Sequence, residues 1–328
     1  MTDSCCAPSR GSSPPSDPTP PFRQRADGPP GLPLVALPGG SFLMGNPRND
    51  GYAADGEGPV HAVVLDPFAI ATTTVTVRQF AAFVEATGYR TTAERDGWSF
   101  VFAGLLPNAF PPTRGAAAAP WWRQVFGANW RHPAGPQSDV AGRLDHPVVH
   151  VSWDDAQAFC AWAGGGTRLP TEAEWEFAAR GGTEGTPFWW GTDLVPNGKH
   201  AMNVWQGQFP QRNTTADGYL GTAPADAYAP NPYGLFNVTG NVWEWCADWF
   251  SPTAYAESPR ETPRGPASGT ARVMRGGSYL CHRSYCNRYR VDARSSNTPD
   301  STAGNIGFRV VMDAEAAEGR PGRCCATR

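Results

Sequence analysis

The sequence predicts an α+β domain with little regular secondary structure, and three observations carry that prediction. The 328-residue chain has 37 Gly and 33 Pro, about a fifth of its length, and both residues are costly inside helices and strands. Its apolar periodicity supports only three helices and a few short, scattered strands. It nevertheless has material for a core, with 40% hydrophobic residues, among them 13 Trp, 16 Phe and 9 Tyr, and aromatic rings bury more surface per residue than any other side chain.

The first helix is expected near residues 74–87, where Val77, Phe80, Ala81 and Val84 recur at helical spacing and Gly88 follows as a stop. The second starts from Ser152 as N-cap with Asp155 three residues on. Ala156, Phe159, Cys160 and Ala163 form its apolar stripe before Gly164. The third follows Pro170, with Thr171 and Glu174 as a capping box, Trp175, Ala178 and Ala179 as the stripe, and Gly181-Gly182 as the end. Strands are expected around Ser41–Met44, His61–Leu65, Val273–Arg275 and Phe308–Val311. The stretch 183–270 is rich in turn residues, Trp, Asp and Asn but shows little periodicity, so bound ions and aromatic packing are the expected sources of its order.

The chain divides into three parts. Residues 1–33 contain nine prolines with several Ser and Arg, a composition that buries too little surface to offset chain entropy, and are expected to be disordered. A single domain spans 34–313, and 314–328 is a second tail. A net charge of −3 without a basic run gives no footprint for nucleic acid, and no apolar stretch approaches the ~18 residues of a membrane span. The start Met1-Thr2-Asp3-Ser4-Cys5-Cys6 lacks the features of a secretory signal, so a cytoplasmic location is expected. Of the eight cysteines, Cys5, Cys6, Cys324 and Cys325 lie in the tails, and Cys160, Cys246, Cys281 and Cys286 in the domain. No CxxC spacing occurs, which argues against zinc-ribbon and thioredoxin chemistry.

Cys281 and Cys286 stand out. On a helix, i and i+5 side chains diverge by about 140°, so only a loop brings them together, and Gly276-Gly277 precedes them. Soft sulfur ligands select Cu(I), and two suffice for a linear site. By spacing alone a disulfide or two inert buried thiols are the commoner outcomes. Among the six His residues, none has the spacing of a two-His, one-carboxylate iron site, and no Rossmann-type glycine fingerprint for a flavin is present.

The surrounding residues carry a resemblance. Gly276 to Cys286 reads GGSYLCHRSYC, continued by NRYRVDARSSNTPDS and GFRV up to Val310. PGGSFLMG lies at Pro38–Gly45, RLPTEAEWEFAARGG at Arg168–Gly182 and GLFNVTGNVWEWCADW at Gly234–Trp249. Over about 38–313 the chain resembles the formylglycine-generating enzymes, the sulfatase-modifying factor family. The RLPTEAEWE and GNVWEW motifs are shared by a wider superfamily, so they speak for the fold; the CHRSYC pair speaks for the reaction.

The resemblance implies an elaborated C-type-lectin-like fold. It implies an oxidase that uses O2 and a thiol reductant to convert the cysteine of a Cys-x-Pro-x-Arg motif, in a nascent or unfolded sulfatase, to Cα-formylglycine. It implies Cu(I) on Cys281 and Cys286, with Ser278 acting beside them, and Trp243, Arg283, Tyr285 and Asn305 near the substrate. It also implies two structural Ca2+ ions, one on Asn203, Val204, Asp217 and Tyr219, the other on Asn237, Gly240, Val242 and Glu244, with the Val204, Tyr219, Gly240 and Val242 contributions from backbone carbonyls. On residue type alone, these Asn and Asp residues read as turn formers. Some relatives place cysteines where Val291 and Val310 stand here, which leaves Cys160 a free thiol. Two other classes share the scaffold: an iron enzyme forming C–S bonds, as in thiohistidine biosynthesis, and a non-catalytic lectin-like module. The low His count and missing His-rich domain oppose the first; the second leaves CHRSYC without a use. Finally, Cys6-Ala7-Pro8-Ser9-Arg10 matches Cys-x-Pro-x-Arg, so the tail is a candidate self-substrate or pseudosubstrate.

Overall fold

The structure, a computed structural model, describes residues 7–10 and 31–313. Four helices are present: α1 (Val77–Thr87), α2 (Thr92–Asp96), α3 (Trp153–Ala163) and α4 (Glu172–Arg180). Each starts in a complete capping box, formed by Thr76/Gln79, Thr91/Glu94, Ser152/Asp155 and Thr171/Glu174, so the first-turn N–H groups that a helix leaves unpaired are satisfied locally. Each ends at a glycine: Gly88, Gly97, Gly164 or Gly181. Three of these helices match the sequence expectation, although α1 starts three residues later than its periodicity suggests. The fourth, α2, is one and a half turns long. Its Thr91/Glu94 signal is present in the sequence, but a helix that short has no apolar stripe to detect.

The central sheet has four strands in the order Arg294–Asn297, Arg272–Arg275, Trp243–Trp249, Ile306–Phe308, with the last pair parallel and the others antiparallel. A second sheet sets Leu34–Leu37 and Val311–Asp313 on either side of Phe68–Ala71, so both ends of the domain meet on one strand. Gly40–Met44 pairs with His61–Leu65 in register. Trp98–Phe102, Ala119–Phe126 and Arg114–Ala116 form a third, antiparallel sheet, and Gly207–Gln208 with Arg212–Asn213 a minimal hairpin.

Two differences from the sequence reading have physical causes. Trp243–Trp249 lies inside the stretch that shows no periodicity. Its Trp243 and Trp245 pack into one core and Cys246 into the other, and a strand buried on both faces shows no polar alternation. The single strand expected at Phe308–Val311 is two strands in different sheets. Between them Arg309, fully buried, donates to both Glu244 oxygens (Nε–Oε2 3.0 Å, Nη2–Oε1 2.9 Å) and to the carbonyls of Ala71 and Phe236 at 2.8 Å. Each Arg309 donor nitrogen thus has a partner, as a buried cation requires, and the chain changes sheets around it.

The larger core joins α1 and α3 to the central sheet through Phe80, Phe83, Phe159, Trp162 and Phe308. Phe80 stacks on Phe159 and meets Phe83, Trp130 and Phe308 edge-on. On the other side of the sheet, buried ion pairs surround α4. Glu172 takes a bidentate pair from Arg294 (2.7 Å each) and a longer contact from Arg275 at 3.4 Å, and Glu176 is shared by Arg180 and Arg275. Burial alone would raise the Glu176 carboxyl, but the guanidinium charges of Arg180 and Arg275 outweigh it and hold the group below its ordinary range.

Candidate active site

The loop from Gly276 to Cys286 leaves the central strand Arg272–Arg275 through two glycines in left-handed conformation, φ +92° and +75°. A Cβ at Gly277 would lie 2.7 Å from the Arg288 carbonyl oxygen, so only glycine lets the two passes of chain approach. Gly240 N donates to Gly276 O and Tyr279 N to Asn241 O, which ties the loop to the segment around 240. Two consecutive turns follow. Cys281 N donates to Ser278 O at 2.8 Å, and Cys286 N to His282 O at 2.9 Å. The two cysteines are therefore carried on turns rather than on one helix, as their spacing demands.

Cys281 and Cys286 are buried in the larger core, 1% and 0% exposed, and neither forms a disulfide. Cys160 and Cys246 are also free thiols. Burial, and then negative charge on Cys281 and Cys286, push the Tyr289 hydroxyl well above its ordinary range, so the two thiols bear on the same phenol. The Ser278 backbone N–H points at the Cys281 sulfur at 3.4 Å. The Ser278 hydroxyl oxygen accepts the Asn305 side-chain amide at 3.0 Å and the Leu280 N–H at 3.4 Å. With its lone pairs so engaged, the hydroxyl has its own proton to offer. The Asn305 backbone is fixed from behind, because its main-chain carbonyl accepts the Trp243 main-chain N–H at 2.8 Å.

The expected substrate contacts fall into two groups. Trp243, Ser278 and Asn305 are fully buried; they build and position the site. Trp243 Nε1 is buried with no hydrogen-bond partner among the described residues. Arg283 is exposed, and Tyr285 is half-buried, its ring stacked on Phe209 at 4.1 Å and edge-on to Trp121 at 5.2 Å. Trp205 joins this aromatic wall and donates its backbone N–H to Cys281 O at 3.0 Å. Trp121, Trp205 and Phe209 have no sequence signal beyond being aromatic, since Trp121 lies 164 residues before the Tyr285 ring that it meets.

Downstream of the loop, Arg288, Arg290 and Arg294 anchor it. Arg288 pairs with Asp55, Arg290 with Glu57 and Asp292, and Arg294 with Glu172, all buried. The chain then forms the run Asn297–Thr302, on which Ala7–Arg10 lies. The Asn297 amide donates to the carbonyls of Ala7 (3.2 Å) and Pro8 (3.3 Å), Ser9 Oγ meets Thr298 Oγ1 at 3.3 Å, and Arg10 N donates to Ser301 Oγ at 3.1 Å. The Arg10 guanidinium pairs with Asp96 of α2, donates to Trp98 O and to Thr302 Oγ1 (2.7 Å), and covers the Trp98 ring at 4.1 Å. Burial pulls its pKa down, and the charge of Asp96 opposes that shift. Asn297, Thr298 and Ser301 lie within the run NRYRVDARSSNTPDS, Thr302 follows it, Asp96 ends α2 and Trp98 opens the strand Trp98–Phe102. Cys6, and with it the tail segments 1–6, 11–30 and 314–328, lies outside the described residues.

Behind this cleft sits His150, fully buried at φ +60°. Its Nε2 donates to Pro133 O and its Nδ1 faces Ser99 Oγ, both at 2.8 Å, and Ser99 Oγ meets Thr302 Oγ1 at 2.8 Å. A carbonyl only accepts, so the neutral ring carries its proton on Nε2. Ser99 then donates to Nδ1 and accepts from Thr302, which leaves the Thr302 lone pairs facing Arg10.

The two expected calcium groups differ. In the first, Asp217 Oδ2 accepts Val204 N at 3.1 Å, Oδ1 accepts Tyr219 N at 3.0 Å, and Asn203 Oδ1 is buried without a hydrogen-bond partner among the described residues. In the second, Asn237 Oδ1 is likewise buried and unpaired, but both Glu244 oxygens are taken by Arg309 and Oε2 also by Trp175 Nε1 at 2.8 Å. No cluster of three or more His, Cys, Asp or Glu suited to a metal occurs among the described residues. No described helix is long and apolar enough to cross a membrane.

Residues 23–314 match the family model described as sulfatase-modifying factor enzyme 1-like domain. The chain is 60% identical over 286 residues to a formylglycine-generating enzyme of Streptomyces coelicolor, covering 87% of this chain and 90% of that protein. It is 50% identical to the formylglycine-generating enzyme of Bos taurus, over 92% of this chain and 78% of that one. It is also 45% identical to an inactive Cα-formylglycine-generating enzyme 2 of Bos taurus, over 88% and 89%. Among solved structures, PvdO from Pseudomonas aeruginosa superposes with a TM-score of 0.62 at 27% identity, covering 85% of this chain and 94% of that one. With that architecture, and with the 276–310 segment carrying two buried cysteines, the chain belongs to the sulfatase-modifying factor enzyme 1-like family, alongside the formylglycine-generating enzymes.

Proposed function

We propose that this chain converts the cysteine of a Cys-x-Pro-x-Arg segment in a client sulfatase to Cα-formylglycine, with O2 as oxidant and a thiol as reductant. The observation that carries this reading is the pair of buried thiols Cys281 and Cys286, not joined in a disulfide, on consecutive turns beside Ser278 and Tyr289. Relatives at 45–60% identity include both formylglycine-generating enzymes and a protein named inactive, so the residues of the site, not overall similarity, must decide.

Two buried cysteine sulfurs are soft donors that suit Cu(I), and Cys281 and Cys286 would hold it. Bound there, the metal supplies the means of using O2, which side chains alone lack. The protein's residues do the rest. The Ser278 N–H stabilises negative charge on the Cys281 sulfur. The Ser278 hydroxyl, oriented by the Asn305 amide, has a proton at Oγ to offer. The Tyr285–Phe209–Trp121 wall excludes water from the approaching peptide.

Calcium fits the first expected group, where Asn203 Oδ1 needs a partner and Asp217 supplies a carboxylate beside the Val204 and Tyr219 backbone. At the second, Glu244 is already neutralised by Arg309, leaving Asn237 Oδ1 and the Gly240 and Val242 carbonyls as donors. Four reduced thiols among the described residues suit the reducing cytoplasm.

A short Cys-x-Pro-x-Arg peptide assayed for aldehyde, with and without added copper, tests the function. Copper stoichiometry in Cys281→Ser and Cys286→Ser tests the site independently of turnover. The wild type should bind one ion and each variant should lose it. Full loading in both variants would rule out this ligand pair.

A further inference from the structure

Between the start of α4 and the segment 254–266 lies a cavity of about 130 Å³. Met44, Ala173 and Tyr255, which line it, belong to the smaller core and not to the one that holds Cys281 and Cys286. Its lining is rich in acceptors and poor in donors. No Arg, Lys, His, Asn, Gln or Trp is among the described residues that line it. Tyr255 Oη already donates to Glu172 Oε1 at 3.1 Å and Ser258 Oγ to Pro259 O at 3.3 Å, and Pro259, Pro263 and Pro266 have no backbone N–H. Asp248 lines the same cavity and is 4% exposed. Its Oδ2 accepts the Glu172 N–H at 2.8 Å, and its Oδ1 has no hydrogen-bond partner among the described residues. Neither neighbouring guanidinium pairs with it: Arg294 is bidentate to Glu172, and Arg272 donates to Ala247 O and covers the rings of Trp153 and Trp249. Burial, and then the Glu172 charge, push the Asp248 pKa up to about 7, as befits a carboxyl without a cation. Gly265, at φ +67°, leaves this carboxyl its space, since a Cβ there would lie 3.1 Å from Oδ1. The wall is held in place from outside: Val64 N donates to Arg260 O and Thr262 N to Val64 O, both at 2.8 Å, although Thr262 then takes φ +41°, a strained position for a β-branched residue.

We propose that this cavity is a binding site for a small primary amine, whose ammonium group pairs with Asp248 Oδ1 and whose chain of about four carbons lies against Met44, Ala254 and the prolines. The ammonium brings the charge and the N–H donors that the lining lacks, and a charge-assisted bond in a desolvated site is a strong one. A hard divalent ion lacks its oxygen set here, because Arg294 holds both Glu172 oxygens and no cluster of three or more His, Cys, Asp or Glu suited to a metal occurs among the described residues. The site neither uses nor requires the thiol chemistry proposed above.

The test is calorimetric titration of the full chain with n-butylammonium chloride, in phosphate buffer free of other amines at about pH 8, where Asp248 is ionised and the amine still protonated. One saturable site with a Kd of about 1 mM is expected for so small a ligand. n-Butanol, which lacks the charge, and potassium chloride, which lacks the chain, should give no saturable heat at the same concentrations. Asp248→Asn keeps an acceptor for the Glu172 N–H while removing the charge, and should weaken binding by about tenfold or more. Ala254→Leu fills the cavity from its wall, leaves Asp248 in place and should abolish binding; it carries the test if Asp248→Asn does not fold. No saturable binding to the wild type, equal binding of potassium or butanol, or wild-type affinity in either folded variant overturns the proposal.

Discussion

Replacing His150 with Gln tests the hydrogen-bond chain behind the Arg10 cleft. Gln can donate to Pro133 O and accept from Ser99, so it keeps both contacts while removing the titration. In the folded protein burial, and to a lesser degree the Arg10 charge, lower the His150 pKa from 6.5 to about 4, against one favourable bond to Pro133. Since the folded pKa lies below the unfolded one, the unfolded chain takes up a proton first as the pH falls. Stability is therefore full above about pH 6.5, is lost progressively down to about pH 4, and levels off below. At about pH 5 nearly every unfolded chain is protonated and about one folded molecule in ten, which costs about 2 kcal/mol relative to neutral pH, rising to about 3 kcal/mol below pH 4. Urea unfolding of both proteins at several pH values between about 7.5 and 4.5 supplies the assay. Any constant cost of placing Gln at φ +60° cancels in the comparison. The wild type should lose about 2 kcal/mol more than His150→Gln on going to pH 5. Parallel profiles would refute the reasoning, because they would mean that His150 is not held neutral by its surroundings.

Other perturbations address the scaffold. Glu172→Gln should destabilise the fold by about 3–5 kcal/mol, since it leaves Arg294 buried without its carboxylate and Arg275 with Glu176 alone; a midpoint shift under about 1 kcal/mol would contradict that role. Gly277→Ala should abolish most peptide turnover and lower the melting temperature, because a left-handed φ and a 2.7 Å approach to Arg288 O both exclude a Cβ; wild-type kinetics would show that the loop has another conformation. Chelation by EGTA should lower the melting temperature of the wild type but not of Asn203→Ala, whose own midpoint should already be reduced. An unchanged wild-type midpoint would count against calcium at Asn203 and Asp217.

Three helices were legible because their signals are local. Ser152/Asp155 and Thr171/Glu174 complete their hydrogen bonds within four residues, and Gly88, Gly164 and Gly181 end the helices by a φ that other residues resist. The cysteine pair and its glycines were legible for the same reason, as they fall within eleven residues. Trp243–Trp249 was not, because both its faces are buried, nor was the break at Arg309, whose cause is a carboxylate 65 residues away.

What the sequence determined by itself was chemistry: two soft donors on a glycine-led loop, a lack of histidines for iron, a composition that favours loops over long elements, and a Cys-x-Pro-x-Arg motif in the tail. Only the tertiary structure decided that Trp243 and Asn305 support the site from behind, that Arg309 occupies the Glu244 carboxylate, and that Ala7–Arg10 rests on Asn297–Thr302 with Asp96 as its counter-ion. The division is physical. Donor identity and capping are properties of a few adjacent residues, whereas desolvation and charge pairing depend on which distant segments burial brings together.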